Sequence, residues 1–251
     1  MPMTYLVAVT GKGGTGKTTV AAILTRLLLE GGVRPVLAVD ADPNSTLAPF
    51  LGLPAGPTIS DIREEVLKEK GTVTGIPKER ILDMKLEECI QEADGFDLLT
   101  MGRPEGPTCY CYVNSLVRGA MSALKGNYRV TVVDNEAGME HLSRMNTDAI
   151  DCLVIVCEPT AASARAAQRI TELAAGLPVN VRRKVLVWNK APESGVPEAA
   201  ADRLRAGAFD ESVTLPADAA VARLSNEEQS VFQTKMSEPF ARLLDVCVKG
   251  L

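Results

Sequence analysis

The sequence predicts an α/β protein built on a doubly wound, mostly parallel sheet with helices on both faces. Three observations carry this. Apolar runs of five or six residues alternate with segments of helical spacing along the whole chain. The runs are near-continuously apolar, as strands covered on both faces are. The motifs that carry chemistry follow the carboxyl ends of the runs, where open α/β sheets bind their ligands.

The first run, Tyr5-Leu-Val-Ala-Val-Thr10, leads directly into Gly11-Lys-Gly-Gly-Thr-Gly-Lys-Thr-Thr19 and then into an apolar helical pattern, Val20 to Leu29. This satisfies G-x-x-x-x-G-K-[ST] between a strand and a helix, the context a phosphate-binding loop requires. Glycines let successive backbone N–H groups turn inward at a phosphate, and the helix N-terminus adds the positive end of its dipole. Gly11, Lys12, Gly13, Gly14, Thr15, Gly16, Lys17, Thr18 and Thr19 are therefore predicted to bind nucleotide. Lys17 is placed to reach the β- and γ-phosphates and Thr18 to hold Mg²⁺.

The second run, Pro35 to Val39, ends in Asp40-Ala-Asp-Pro-Asn44. Carboxylates at the end of a buried strand beside a phosphate loop can hold Mg²⁺-bound waters or orient an attacking water. Residues 51–95 depart from tight alternation. They are rich in charge, with helical spacing at Ile62, Val66 and Leu67 and again at Ile81, Leu86 and Ile90. This predicts an insertion of one or two helices over the sheet edge, inside a single ATPase domain spanning 1–251. The third run, Phe96 to Met101, precedes a Gly/Pro/Cys-rich segment. The fourth, Tyr128 to Val133, is closed by Asp134, the Walker B arrangement of a hydrophobic strand finished by a magnesium-facing carboxylate. Cys152–Val156, Lys184–Trp188 and Ser212–Leu215 complete the sheet, and Phe232 to Leu251 reads as a packed final helix.

Composition bounds the function. At 251 residues, 46% hydrophobic and 24% charged, the chain is an ordinary soluble globular protein. A net charge of −5 without a basic stripe argues against nucleic acid. No apolar run reaches about eighteen residues and no export signal opens the sequence, so no membrane role and a cytoplasmic location are expected. The single histidine, His141, excludes sites built from several imidazoles. Six cysteines in such a chain do not read as a disulfide framework. Cys152 and Cys157 fall in a strand run, Cys89 and Cys247 in helix-like stretches, and all four read as buried packing residues.

Cys109-Tyr-Cys111 differs. Residues two apart diverge on a helix but share a face of an extended segment, which Gly106 and Pro107 favour. The pair precedes a helical pattern, Tyr112 to Leu124, whose N-terminal dipole would favour thiolate. Two thiolates are too few for a tetrahedral site. A two-fold dimer supplies four around a metal on its axis, able to hold Zn²⁺, Ni²⁺ or an iron–sulfur cluster.

With its second lysine, Lys12-Gly-Gly-Thr-Gly-Lys-Thr18 resembles the deviant Walker A ATPases, which include MinD, the plasmid-partition ParA proteins and the nitrogenase iron protein. The resemblance implies that Lys12 reaches across a two-fold axis to the partner subunit's nucleotide, joining ATP binding to homodimer formation. It assigns Asp42 to water positioning and Asp40 to the metal side of the site, so that Lys12, Lys17 and Asp42 form the catalytic set. Asp134 and Gly138 match the family's D-x-x-x-G switch, in which Glu136 has no assigned role. Asn189 and Lys190 resemble the family's adenine-binding segment, and Pro216 and Asp218 the loop that flanks the base.

Lys12, Cys109-Tyr-Cys111 and Asp134-Asn-Glu-Ala-Gly-Met-Glu-His141 together look like the nickel-insertion accessory ATPases of carbon monoxide dehydrogenase and acetyl-CoA synthase maturation, the CooC/AcsF type. That likeness implies ATP/ADP and Mg²⁺ at the phosphate loop, and Ni²⁺ (or Zn²⁺) between the Cys109/Cys111 pairs of a homodimer. It also implies apo carbon monoxide dehydrogenase or acetyl-CoA synthase as the partner. Two alternatives keep the ATP site: a ParA/MinD-type positioning ATPase, and an iron–sulfur redox ATPase. The second is disfavoured because no cysteine lies between Cys111 and Cys152.

Overall fold

The computed structural model describes residues 4–68, 85, 87–103, 119, 124, 126–136, 149–176, 179–204, 207–227 and 229–249. Strand β1 (Tyr5–Gly11) sits inside an eight-stranded sheet of order β10-β9-β7-β1-β5-β2-β4-β3. The other strands are β2 (Val36–Ala41), β3 (Ile90–Glu92), β4 (Phe96–Thr100), β5 (Val130–Asn135), β7 (Cys152–Cys157), β9 (Lys184–Ala191) and β10 (Glu211–Pro216). Every pairing in this sheet is parallel except β3 with β4. All seven predicted runs are strands, and β1, β2, β5 and β7 are buried along nearly their whole length, which is why they carry no polar face.

Two apolar layers cover the sheet. One holds α1 (Lys17–Glu30) through Val20, Ile23, Leu24 and Leu28, against Val7, Val9, Val132 and Val154. The other holds α3 (Ile59–Lys68) through Ile59 and Ile62 and α4 (Ala161–Ala175) through Ala164, Ala167 and Ile170, against Leu37, Val39, Leu153 and Ile155. Eleven of the fourteen residues of α1 are buried, because the C-terminal segment closes over its outer side. The side chain of Thr160 caps α4 by accepting from Ser163 N at 3.2 Å.

Two expectations are corrected and one feature is added. Ile90, read at helical spacing, lies on β3, which returns antiparallel to the sheet edge, and Cys89 sits in the turn before it. Ile81 and Leu86 lie outside the described residues, whereas the first helix of that insertion is α3. A two-strand ladder of β6 (Ala149–Ile150) with β8 (Asn180–Val181) was not foreseen, since two residues leave no periodicity to read. Finally, Phe232 to Leu251 is not one helix. Two 3₁₀ turns, Val231–Gln233 and Glu238–Ala241, lead into the short helix Arg242–Cys247, and Phe240, Leu243 and Cys247 pack into the core. Pro239 fixes its own φ and removes a backbone donor, which suits a first helical turn and not a helix interior. Among the described residues no helix is long and apolar enough to cross a membrane.

Candidate nucleotide site

The loop after β1 takes its path from two glycines. Gly11 has φ 152°, and a Cβ there would lie 2.3 Å from the Val156 carbonyl oxygen of the neighbouring strand. Gly16 has φ 91°, and its Cβ would lie 2.4 Å from Asn189 Nδ2. Helix α1 then starts at Lys17 with no side-chain cap and no acidic residue in its first turn. Its first N–H groups and its dipole are thus left for an anion.

The carboxyl end of β9 braces the loop from outside. Asn189 Nδ2 donates to the Thr15 carbonyl at 2.8 Å, and Lys190 Nζ donates to the Gly14 carbonyl at 2.7 Å. Lys190, at φ 58°, is itself held by Glu158 Oε1 at 2.7 Å. The sequence expectation for Asn189 is modified accordingly. One of its two amide hydrogens is committed to the loop, which leaves the other and the carbonyl oxygen for a base.

A cavity of about 800 Å³ opens beside the loop. Gly13, Gly14, Gly16, Lys17, Thr18 and Thr19 line one side, with Asp42, Asn189, Lys190, Pro216 and Asp218 around it. Residues at the ends of four strands, β1, β2, β9 and β10, therefore converge on one space. Asn44, Thr46, Phe50, Glu136, Val221 and Ala222 also line it. Sequence reasoning gave none of these a role, and only Asn44, placed after Asp-Pro as in an Asx turn, left a readable signal. Lys12 is exposed. Asp218 does not face the base as a free carboxylate. It caps α6 (Ala219–Asn226), accepting from Ala220 N at 2.7 Å, Val221 N at 3.3 Å and Ser237 Oγ at 3.0 Å. Burial raises its pKa, but these donors outweigh it and hold the carboxyl below its ordinary value.

Two aspartates sit side by side at the strand ends, Asp40 on β2 paired in register with Asp134 on β5. They differ in what they touch. Asp40 is fully buried, and its two oxygens accept from Asp42 N at 3.1 Å and Leu47 N at 2.8 Å. Burial dominates and raises its pKa to about 6 against the lowering by those amides. Asp134 is 1% exposed, and neither of its oxygens has a hydrogen-bond partner. Burial, followed by the nearby Thr18 hydroxyl that lowers it and the Asp40 charge that raises it, leaves its pKa at about 7. A buried carboxylate with every lone pair open, beside Thr18 and Lys17, fits a divalent cation. Mg²⁺ bound there would offset charge on the β- and γ-phosphates. Thr18 Oγ1 lies 3.4 Å from Thr46 Oγ1, so the loops after β1 and β2 meet at this point.

The remaining predicted residues, Gly138 of the switch and the Cys109/Cys111 pair, lie outside the described residues, as does His141. Cys89, Cys152, Cys157 and Cys247 are buried and form no disulfide. Burial pushes the Cys89 thiol up to about 12 and that of Cys157 to about 11, so neither is a thiolate at neutral pH.

The profile of the CobQ/CobB/MinD/ParA nucleotide-binding domain matches residues 6–231. The chain belongs to this family. An ATP-binding protein of Methanocaldococcus jannaschii is 39% identical over 188 residues, 74% of each chain. The carbon monoxide dehydrogenase accessory protein CooC of Rhodospirillum rubrum is 36% identical over 190 residues, 68% of this chain and 69% of its own. Among solved structures, the septum site-determining protein MinD of Pyrococcus horikoshii in complex with Mg-ADP superposes with a TM-score of 0.68 at 22% identity. It covers 97% of this chain and 96% of that one, and so shares the fold. This MinD/ParA-type protein is an ATPase on an α/β P-loop fold. Lys17, Thr18 and Asp42 line this cavity beside the uncapped α1 N-terminus, and Thr18 and Asp134 are the groups that would hold a magnesium ion there.

Proposed function

We propose that this ATPase is a metallochaperone of the CooC type. ATP closes a homodimer through Lys12 and brings two Cys109/Cys111 pairs together around one divalent cation, nickel in service. Hydrolysis, with Asp42 orienting water and Lys12 and Lys17 offsetting charge, relaxes the Asp134–Gly138 switch and opens the thiolate cage. The metal passes to apo carbon monoxide dehydrogenase or acetyl-CoA synthase in the cytoplasm. The observation that carries this reading is the 36% identity with CooC over about two thirds of both chains. It is supported by a Cys-x-Cys pair placed between the phosphate loop and the Walker B strand. Burial of Cys89, Cys152, Cys157 and Cys247 also leaves Cys109 and Cys111 as the remaining two of the six thiols to serve as metal ligands. Replacing both Cys109 and Cys111 by serine is expected to abolish nickel binding and leave ATP affinity unchanged. Nickel binding at wild-type affinity by that variant would overturn the proposal.

A second reading, a positioning ATPase, is favoured by a 28% identity over 165 residues with the maintenance of carboxysome distribution protein A of Synechococcus elongatus. That reading expects ATP-dependent binding to DNA or to a membrane surface. Co-sedimentation of the ATP-bound protein with plasmid DNA or anionic vesicles would support it.

A further inference from the structure

Asp40 and Asp134 are register partners on adjacent strands, and the sequence pattern groups both with the metal. Their surroundings separate them. Asp134 has both oxygens open, whereas each oxygen of Asp40 is taken by a backbone amide of the loop that follows it. Those amides, Asp42 N and Leu47 N, bracket the turn that carries Asp42, Asn44 and Thr46 into the nucleotide cavity. The turn has a second tie. Asp42 Oδ1 accepts from Asn44 N at 2.9 Å and Asn44 Nδ2 at 2.8 Å, and Ser45 N donates to the Asp42 carbonyl at 3.0 Å. One oxygen of Asp42 therefore maintains the turn and the other is left for chemistry.

Ser45 adopts φ 52°, an uncommon backbone conformation for serine, and the ties on both sides hold it there. Leu47, whose amide closes the far end, is fully buried and starts the short helix α2 (Leu47–Phe50) that ends at the cavity-lining Phe50. The base of the turn is thus a buried charge with two charge-assisted hydrogen bonds, among the stronger contacts a loop can have.

We propose that Asp40 is a positioning residue that latches the 42–47 turn and so places Asp42 against the nucleotide, and that it does not hold magnesium. Among the described residues the cation then falls to Asp134 and Thr18. Asp40 acts through Asp42, by fixing where that carboxylate stands; loosening such a placement by about an ångström costs on the order of a hundredfold in rate. This inference rests on ATP hydrolysis by the chain and not on metal delivery, so a protein that binds no nickel would give the same result.

The test compares Asp40→Asn with Asp134→Asn in steady-state ATP hydrolysis at varied Mg²⁺. Asparagine at 40 keeps one acceptor but turns an NH₂ toward an amide donor, which breaks one end of the latch. The expected result for Asp40→Asn is a kcat lowered about 10- to 100-fold, with half-saturating ATP and Mg²⁺ within about twofold of wild type. Asp134→Asn is expected to raise half-saturating Mg²⁺ about tenfold or more. Recovery of kcat by Asp40→Asn at high Mg²⁺, or an unchanged kcat, would overturn the proposal. A measurement on the unaltered protein covers the case in which the variant does not fold. Amide exchange at Asp42 and Leu47 is expected to stay slow when Mg²⁺ and a non-hydrolysable ATP analogue are added. Faster exchange at both on adding Mg²⁺ would mean that the carboxylate leaves its latch for the metal, and would refute the assignment.

Discussion

Asp134→Asn is expected to stabilise the protein when magnesium and nucleotide are absent. The carboxyl moves from 3.8 to about 7 on folding, mainly because burial disfavours its charged form. At 1.36 kcal/mol for each pH unit this corresponds to about 4 kcal/mol above pH 7. The sign follows from proton counts. Between about pH 4 and 7 the folded state holds a proton that the unfolded state has released, so this group's contribution falls as pH rises through that window. Asparagine is nearly isosteric and carries no charge, and it gives up only the lowering contacts of Thr18 and Lys17, which burial already outweighs. Its buried NH₂ would be unsatisfied, which costs about 1–3 kcal/mol. The net gain is therefore about 1–3 kcal/mol at pH 8, or roughly 2–10 °C in Tm for a chain of this size. Below about pH 4.5 the gain should vanish or change sign. Differential scanning calorimetry of both proteins in chelator, at pH 8, 6 and 4.5, measures this. A variant less stable than wild type at pH 8, or a difference in Tm that does not change with pH, would refute the reasoning.

Other perturbations test the rest of the site. Gly16→Ala places a Cβ 2.4 Å from Asn189 Nδ2 at φ 91° and should cost about 1–3 kcal/mol, whereas Gly13→Ala meets no atom within 4 Å. Thermal denaturation should show a lowered Tm for the first and a wild-type Tm for the second. Glu158→Gln removes the ion pair that holds Lys190 on the Gly14 carbonyl. As both partners are well exposed, the loss is at most about 1 kcal/mol, read as a KM for ATP raised up to about fivefold with little change in kcat. Lys12→Ala alters an exposed side chain. It should leave ADP affinity and Tm unchanged and prevent ATP-induced dimerisation, which size-exclusion chromatography with ATP would report.

The sheet was legible because its strands are buried on both faces and are written as unbroken apolar runs, from Leu6 to Val9 and again from Leu153 to Val156. The phosphate loop was legible because its requirement is local: glycines, Lys17 and Thr18 within a few residues of each other. What escaped was set by distant partners. Asn189 meets Thr15 across 174 positions, and nothing near either residue announces the bond. The family resemblance set Asp218 beside the base; in the structure it lines the cavity and caps α6, a role fixed by where that helix begins. The pairing of aspartates at 40 and 134 was visible as a pattern. Which of them had free oxygens depended on how the 42–47 turn closes, and that is a matter of conformation and not of spacing. Strand β3 was lost because three residues at an antiparallel edge imitate a helical spacing as readily as a strand.

The central claim, an ATP-gated thiolate cage for nickel, is tested most directly by anaerobic titration of Ni²⁺ into the metal-free protein with and without ATP, counting bound metal per chain. The account predicts saturation near one Ni²⁺ per two chains, with thiolate-to-metal absorption and a dimer by light scattering. Absence of tight nickel binding in a protein that still hydrolyses ATP would contradict it.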